Sequence, residues 1–361
     1  MTTAHAHRHE FEKFSASQIL AIAGNEPERL FSGDAGALKS EFRALSKLWH
    51  PDVSKNPQAE SVFAHIYALY AKAGDKLASG TWSEPGLLRL TGRDGRVRKL
   101  RYVKEHAFEL GRLYLGVGVV AFAIDKTMGG DLAVNGVEAI KGIAYADDKL
   151  RKEFSDKFPN LIDFFDTGTL IVSVFKKAPD MVLLADLRDH LLQSTGQSMD
   201  PKHVAWILSR LHSFACFLQV NGQTHNGIST DTVFVAPQMH TAALLGGWWY
   251  AARENTALKG LPGAALDNVP HGVLASGKAT RRVDLEMIRA VGRDLLGDPT
   301  GSLILRDKKV PRPMAQWLTD ASSGDAFKDF RVWSEEILKD SFGARRFTEL
   351  NISFSDIYQP T

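Results

Sequence analysis

The chain of 361 residues is poor in cysteine, with Cys216 as its single example, so it cannot form an internal disulfide. This scarcity suits a reducing compartment. The chain also lacks a run of the roughly 18 apolar residues that a membrane helix needs, and its first ten residues are too polar for the core of a signal peptide. We therefore expect a cytoplasmic protein without a membrane partner.

Net charge is nearly absent as well, because 44 basic side chains face 42 acidic ones and leave a formal charge of +2. The whole chain therefore indicates no nucleic-acid partner, and such a role would need a local cluster of cations. Apolar residues make up 44% of the chain and charged residues 24%, which is typical of soluble globular proteins. The length allows two domains, each with its own core.

Residues 1–13 form a polar segment in which His5, His7 and His9 alternate. Three imidazoles without a fixed scaffold bind a metal weakly, and nothing downstream completes a ligand set. We expect a disordered tail here, and neither a metal nor a cofactor elsewhere.

Two helical patterns joined by a short polar loop occupy the stretch from Leu38 to Leu77. The apolar residues of the first pattern recur at spacings of four, three and four: Leu38, Phe42, Leu45 and Trp49. The apolar seam of the second pattern consists of Ala59, Phe63, Ile66, Tyr70, Ala73 and Leu77. These patterns predict an antiparallel helical hairpin.

The loop of this hairpin begins with His50, Pro51 and Asp52, and Pro51 must end the first helix because it forces the residue before it out of the helical region. A row of cations four residues apart follows another face of the first helix: Lys39, Arg43 and Lys47. Such a row can meet an acidic surface, although solvated helix faces often look the same. No cysteine or further metal ligand lies nearby, which argues against a nucleophile or a metal site.

A helix with a basic face, then His-Pro-Asp, then a helix containing Phe63, Ile66 and Tyr70 resembles a J-domain (DnaJ-like). The match covers about Phe14 to Ala78. The resemblance implies docking to a DnaK-type heat-shock chaperone, with His50, Pro51 and Asp52 stimulating its ATPase and Lys39, Arg43 and Lys47 contacting its acidic face. Two departures are a missing tyrosine around Ser17 to Leu20 and a long acidic insert, Asn25 to Gly36.

The remaining chain changes from strand patterns to helical patterns. We expect a linker and first strand over 79–97, with hairpin chemistry at Asp94-Gly95. A strand-rich lobe over 98–182 would follow, with five strands in all before Asp180 and one helix over Val134 to Phe158. A helix-rich lobe over 183–361 comes next, with a first helix over Ala185 to Gln193 and a long amphipathic one over His203 to Val220.

This order resembles the protein-kinase fold over roughly Arg98 to Leu350, which makes the whole chain α+β. Aligned on the catalytic-loop histidine, His225 matches. The catalytic aspartate then falls on Gly227, the metal-binding asparagine on Thr232, and Asp-Phe-Gly on Gly246, Gly247 and Trp248. The resemblance implies that Asp284 begins a central buried helix and ties down the backbone near His225.

Phosphoryl transfer needs metal held by carboxylate and amide oxygens, which glycine and threonine do not supply in these positions. The glycine-rich phosphate loop is also absent, and the strand lysine falls near Ala123, with Lys126 three residues away. Together these departures predict a pseudokinase without kinase activity.

The sequence alone leaves the roles of several residues open. Asp231 could be a displaced metal ligand, although aspartates in such loops commonly bond the turn backbone. The Gly246 to Tyr250 segment could plug a former nucleotide cleft or simply be core. The following histidines have no carboxylate at a useful spacing and are expected to be ordinary helix or turn residues: His106, His190, His203, His212 and His240.

We expect a non-enzymatic co-chaperone in which the second domain binds a client or assembly and the first triggers a DnaK-type partner. One alternative is an atypical kinase that uses Asp231 and Lys126. Another is a scaffold whose J-domain only docks proteins.

Overall fold

The structure is a computed structural model that describes Phe11 and residues 14–78, 82, 86–344 and 346–358. The expected histidine-bearing tail over residues 1–13 lies outside the described residues apart from Phe11. The chain divides into two compact units, residues 1–104 with residue 361, and residues 105–360. Each is considered by itself.

The first unit begins with three helices that share one hydrophobic core. They are α1 (Ala16–Leu20), α2 (Leu38–Trp49) and α3 (Ala59–Ala78). Ser15 and Gln18 form a capping box that starts α1. The predicted helix pair is present as α2 and α3, which pack against each other.

Ala59, Ile66 and Ala73 of the predicted seam of α3 are buried, but two other positions of the buried stripe lie one residue away from the prediction. Val62 and Leu69 are fully buried, whereas Phe63 and Tyr70 are only half-buried. The reason is that α3 contacts α1 as well as α2, which turns its centre of burial away from the seam that a two-helix hairpin requires.

The long insert before α2 is part of this core. It forms a short 3₁₀ helix over Pro27–Arg29, after which Leu30 and Phe31 are buried. The ring of Phe31 meets that of Tyr70 edge to face, with centroids 6.3 Å apart. The insert therefore adds apolar contacts to the helices.

Strands β1 (Leu87–Thr91) and β2 (Val97–Arg101) form a separate antiparallel ribbon in the first unit. A turn lies at the predicted position, but its loop has three residues, Arg93 to Gly95, and not the predicted two, because the N–H of Gly92 donates to the carbonyl of Arg96 at 2.9 Å. Gly95 has a φ of 75° that glycine adopts without strain.

The second unit opens with a five-stranded sheet in the order β3-β4-β5-β7-β6. Its strands are β3 (Lys104–Phe108), β4 (Gly111–Leu115), β5 (Val119–Asp125), β6 (Asn160–Asp166) and β7 (Leu170–Lys176). The expectation of five strands before Asp180 was too low, because seven are present. One of them is β3, whose sequence Lys-Glu-His-Ala-Phe has little alternating apolar character.

The single helix expected over Val134 to Phe158 is two helices, α4 (Lys126–Lys141) and α5 (Asp148–Phe154). The carboxylate of Asp125 accepts hydrogen bonds from the first turn of α4, and Asp147 caps α5 in the same way. These two caps set boundaries that apolar spacing does not reveal.

A helix-rich part follows the sheet, as predicted. Its helices are α6 (Leu184–Thr195), α7 (Pro201–Val220), α8 (Gly263–Asn268), α9 (His271–Leu274), α10 (Arg281–Leu295), α11 (Arg312–Thr319), α12 (Ala326–Arg331), α13 (Leu338–Phe342) and α14 (Phe354–Ile357). A π-helical segment, Val332–Ile337, links α12 to α13. The small strands are β8 (Val182–Leu183), β9 (Gln223–Thr224), β10 (Val233–Ala236), β11 (Thr241–Leu244) and β12 (Ala252–Arg253).

Helices α7 and α10 pack on each other and bury twelve and eleven residues, respectively. Within the described ranges, no helix has both the length and the apolar character that a bilayer crossing requires.

Candidate functional site

The turn between α2 and α3 is closed by its own backbone. His50 has extended dihedral angles (φ −62°, ψ 131°), as the residue before a proline prefers, so α2 ends there. Its carbonyl oxygen accepts hydrogen bonds from the N–H groups of Val53 and Ser54 at 2.9 and 2.8 Å. The local sequence is therefore sufficient to shape the turn.

The imidazole of His50 is oriented by two contacts. Its Nδ1 atom accepts a hydrogen bond of 3.2 Å from the backbone N–H of Asp52, and its ring meets Phe63 edge to face at 5.2 Å between centroids. Its Nε2 atom has no partner within the described part of the chain. The side chains of His50 and Asp52 are 43% and 86% exposed, so the turn presents both groups to solvent.

The cations Lys39, Arg43 and Lys47 are exposed on α2. A spacing of four residues separates successive members by about 6 Å along the helix axis. None of the three forms an ion pair with a residue that the structure describes. Nor does any group of three or more His, Cys, Asp or Glu that could hold a metal occur among those residues.

In the second unit, His225 is fully buried and joins two loops. Its Nδ1 atom accepts a hydrogen bond from the N–H of Gly227 at 3.2 Å, so Nε2 carries the proton and donates to the carbonyl of Gly246 at 3.0 Å. Burial lowers the pKa of His225 to about 3. The ring is therefore neutral near pH 7 and holds the loops together.

Asp284 lies in the first turn of α10, where Thr280 caps the helix. Its Oδ2 and Oδ1 atoms accept hydrogen bonds from the backbone N–H groups of His225 and Asn226 at 2.8 and 2.6 Å. This is the contact that the resemblance to kinases leads one to expect. Burial raises the pKa of Asp284 to about 7, although both N–H donors act in the opposite direction.

The positions matching metal ligands have neither the oxygens nor the space for them. A Cβ atom on Gly227 would lie 2.9 Å from the carbonyl oxygen of Gly247, and one on Gly246 would lie 3.0 Å from Cζ of Phe122. The hydroxyl of Thr232 donates to the carbonyl of Gly227 at 2.8 Å. These three residues therefore pack and brace the loop.

An aromatic cluster lies between the sheet and this loop. Trp249 stacks on Phe108 of β3, and its ring meets Phe122 of β5 edge to face, with both centroid distances at 5.1 Å. Trp248, Trp249 and Tyr250 are all buried. The segment is thus core, and its rings occupy the side of the sheet that faces the His225 loop.

The alternative catalytic residues are not brought together by a hydrogen bond or ion pair. Lys126 begins α4 and pairs with Asp166 at 2.5 Å. Asp231 is exposed, and its backbone N–H bonds the hydroxyl of Ser229. Ala123, at the expected lysine position, is buried in β5.

A third cluster was missed by sequence reasoning. The carboxylate of Asp186, on α6, accepts hydrogen bonds from Tyr358 Oη at 2.6 Å and from His106 Nε2 at 3.0 Å. Tyr358 Oη also accepts one from the N–H of Leu183 at 3.0 Å. The prediction that His106 has no carboxylate partner was therefore wrong, because its partner lies 80 residues away in the sequence. No local pattern signals this contact.

Residues 105–360 contain a five-stranded sheet, the helix α4 between β5 and β6, and a helix-rich part that follows the sheet. The solved structure of vaccinia related kinase 3 is similar to the chain with 16% identity and a TM-score of 0.49, over 73% of this chain and 93% of that one. Neither a family model nor a curated protein matches the chain.

Proposed function

We propose that the chain is a non-enzymatic co-chaperone whose first unit is a J-domain. The turn His50, Pro51 and Asp52 stimulates the ATPase of a DnaK-type heat-shock chaperone. One observation carries this proposal: an exposed imidazole and an exposed carboxylate lie on a self-closed turn, next to a helix with a row of exposed cations.

The row Lys39, Arg43 and Lys47 would steer and orient the encounter with an acidic surface of the chaperone. Exposed cations that have no intramolecular partner can pair with a second protein without breaking an existing ion pair. The turn would then provide the specific contacts, since its ring orientation is fixed before binding by Phe63 and by the N–H of Asp52.

The kinase-like unit, in this proposal, binds a client protein or an assembly and performs no phosphoryl transfer. The support is chemical: Gly227, Thr232 and Gly246 have no carboxylate to hold magnesium, and their surroundings are packed. We propose no cofactor for either unit.

The direct test is single-turnover ATP hydrolysis by a purified DnaK-type chaperone mixed with the full-length chain. We expect stimulation by the wild-type chain and loss of stimulation with His50→Gln. His271→Gln, which removes an exposed imidazole from α9, is the matched control and should stimulate like the wild type.

Further measurements distinguish the two alternative functions, an atypical kinase and a pure scaffold. Calorimetric titration with Mg-ATP would detect binding if the chain were an atypical kinase using Lys126 and Asp231, and we expect no heat of binding. A pure scaffold, whose J-domain has lost its chaperone partner and serves only as a protein-docking surface, would leave the ATPase rate of the chaperone unchanged.

A further inference from the structure

The β1–β2 ribbon is the most densely cationic part of the chain. Between Gly86 and Lys104, seven basic residues accompany a single acidic one, Asp94. The remainder of the chain contains more acidic than basic side chains, so its net charge of +2 conceals this local concentration. The feature is the local cluster of cations that a polyanion partner needs.

The strand register places much of this charge on one face. Arg89 lies opposite Lys99 and Leu87 lies opposite Arg101, and residues directly opposite each other in an antiparallel pair project to the same side. Arg89, Lys99 and Arg101 are all exposed. Lys99 and Arg101 form no ion pair with any of the residues that the structure describes. The opposite face carries the more buried pair Leu88 and Leu100.

The turn at the end of the ribbon is also positively charged. Asp94 binds Arg98 through both carboxylate oxygens at 2.9 Å, which holds the pKa of Asp94 at about 2, and it lies 4.0 Å from Arg96. One carboxylate is thus shared by two guanidinium groups, and by formal charge the turn from Arg93 to Arg96 has two cations and one anion.

We propose that this ribbon docks on double-stranded DNA through the phosphate backbone. A two-stranded ribbon has the dimensions to enter the major groove of B-form DNA. Lys99 and Arg101, two residues apart on one strand, are separated by about 6.8 Å, a spacing comparable to that of successive phosphates along one strand. Five of the seven cations are arginines, whose planar fork pairs well with phosphate oxygens.

The choice of duplex DNA over a single strand follows from the outward face. Its exposed residues are Arg89, Thr91, Val97, Lys99 and Arg101, with Leu87 buried at one end, and it has no aromatic ring on which an unpaired base could stack. Duplex RNA fits less well because its major groove is too deep and narrow for side chains to enter.

The test is fluorescence polarisation of a labelled 20-base-pair DNA duplex titrated with the full-length chain at 50 and 200 mM salt. We expect binding that weakens as salt rises, since phosphate contacts release counterions. Lys99→Ala combined with Arg101→Ala should weaken binding at 50 mM at least tenfold and lower the slope of log affinity against log salt by about two. The matched control, Lys259→Ala with Lys308→Ala, removes the same charge from exposed positions in the second unit and should bind like the wild type.

Three results would overturn the proposal. The first is absence of binding to the duplex at 50 mM salt. The second is equal weakening by the two double variants, which would mean that overall charge and not the ribbon governs binding. The third is tighter binding of the same labelled strand without its complement, or equal competition by polyglutamate, which would point to a single strand or to an acidic protein. Because the variants leave His50 intact, chaperone stimulation and DNA binding can fail independently.

Discussion

The ring of Phe122 lies against Gly246 so closely that a Cβ atom on Gly246 would stand 3.0 Å from Cζ of that ring. In the sequence alignment on His225, Gly246 also falls on the aspartate position of Asp-Phe-Gly. The missing oxygen and the filled space therefore coincide, so restoring the carboxylate alone should not restore a metal site.

Gly246→Asp should lower the free energy of unfolding by about 1–3 kcal/mol, because the new side chain overpacks the core and buries a charge. It should bind no magnesium. Phe122→Ala alone should cost about 3–5 kcal/mol, and the double variant should be less destabilised than the sum of the two by about 1 kcal/mol or more. Urea unfolding measures all four forms. Strict additivity would show that the two positions do not share space.

Asp284→Asn should destabilise the fold by about 3 kcal/mol, because an amide cannot accept from two buried N–H groups with both of its terminal atoms. The amide nitrogen would face the N–H of either His225 or Asn226. Thermal unfolding checks this, with Asp267→Asn on the exposed side of α8 as the control. A melting temperature equal to that of the control would contradict the bracing role.

We expect the protein to lose stability in acid because of His212. It is fully buried among Trp317, Phe330 and Trp333, neither ring nitrogen has a hydrogen-bond partner in the described structure, and burial lowers its pKa. The unfolded chain then binds a proton more readily than the native one, so stability falls as pH decreases below the unfolded value of 6.5.

His212→Phe should remove the part of this dependence that comes from His212, about 2 kcal/mol between pH 7.5 and pH 5, and leave the part that comes from buried His225, whose pKa is also lowered. The measurement is urea unfolding at both pH values. The test uses only the difference between the two free energies of unfolding, so a small packing change, which affects both equally, does not alter it. His271→Gln should keep the wild-type difference. An unchanged difference in His212→Phe would exclude His212 as its source.

Tyr358→Phe should expose the amide of Leu183 to exchange. The phenol oxygen of Tyr358 accepts a hydrogen bond from that N–H and donates one to Asp186, so removal of the hydroxyl leaves the buried N–H of Leu183 without this acceptor. We expect a stability loss of about 1–2 kcal/mol and faster hydrogen exchange in the peptide that spans β8. Exchange that does not change would show that this contact contributes little.

Local patterns predicted much of the first unit. Apolar spacing located α2 and α3, and Pro51 located the turn, because each depends on neighbours within one or two helical turns. The buried stripe of α3 was predicted less well, since Val62 and Leu69 are buried partly by α1. The role of an additional helix cannot be read from the spacing of a two-helix pattern.

Long-range contacts explain the other differences. The Asp186–Tyr358 pair joins residues 172 positions apart, and the pairing of His106 with Asp186 spans 80. The boundary between α4 and α5 depends on caps at Asp125 and Asp147 that apolar periodicity does not register. Whole-chain charge likewise gave no indication of the cations on β1 and β2, because acidic residues elsewhere balance them.

The most direct test of the proposed co-chaperone is a titration of chaperone ATPase with three forms of the full-length chain. The wild type should stimulate to a plateau. With His50→Gln, the ATPase should stay at its basal rate at every concentration. Lys39→Glu combined with Arg43→Glu should need at least a tenfold higher concentration to approach the wild-type plateau, since it weakens the encounter and leaves the turn intact. Equal curves for the wild type and His50→Gln, or no stimulation by any form, would contradict the account.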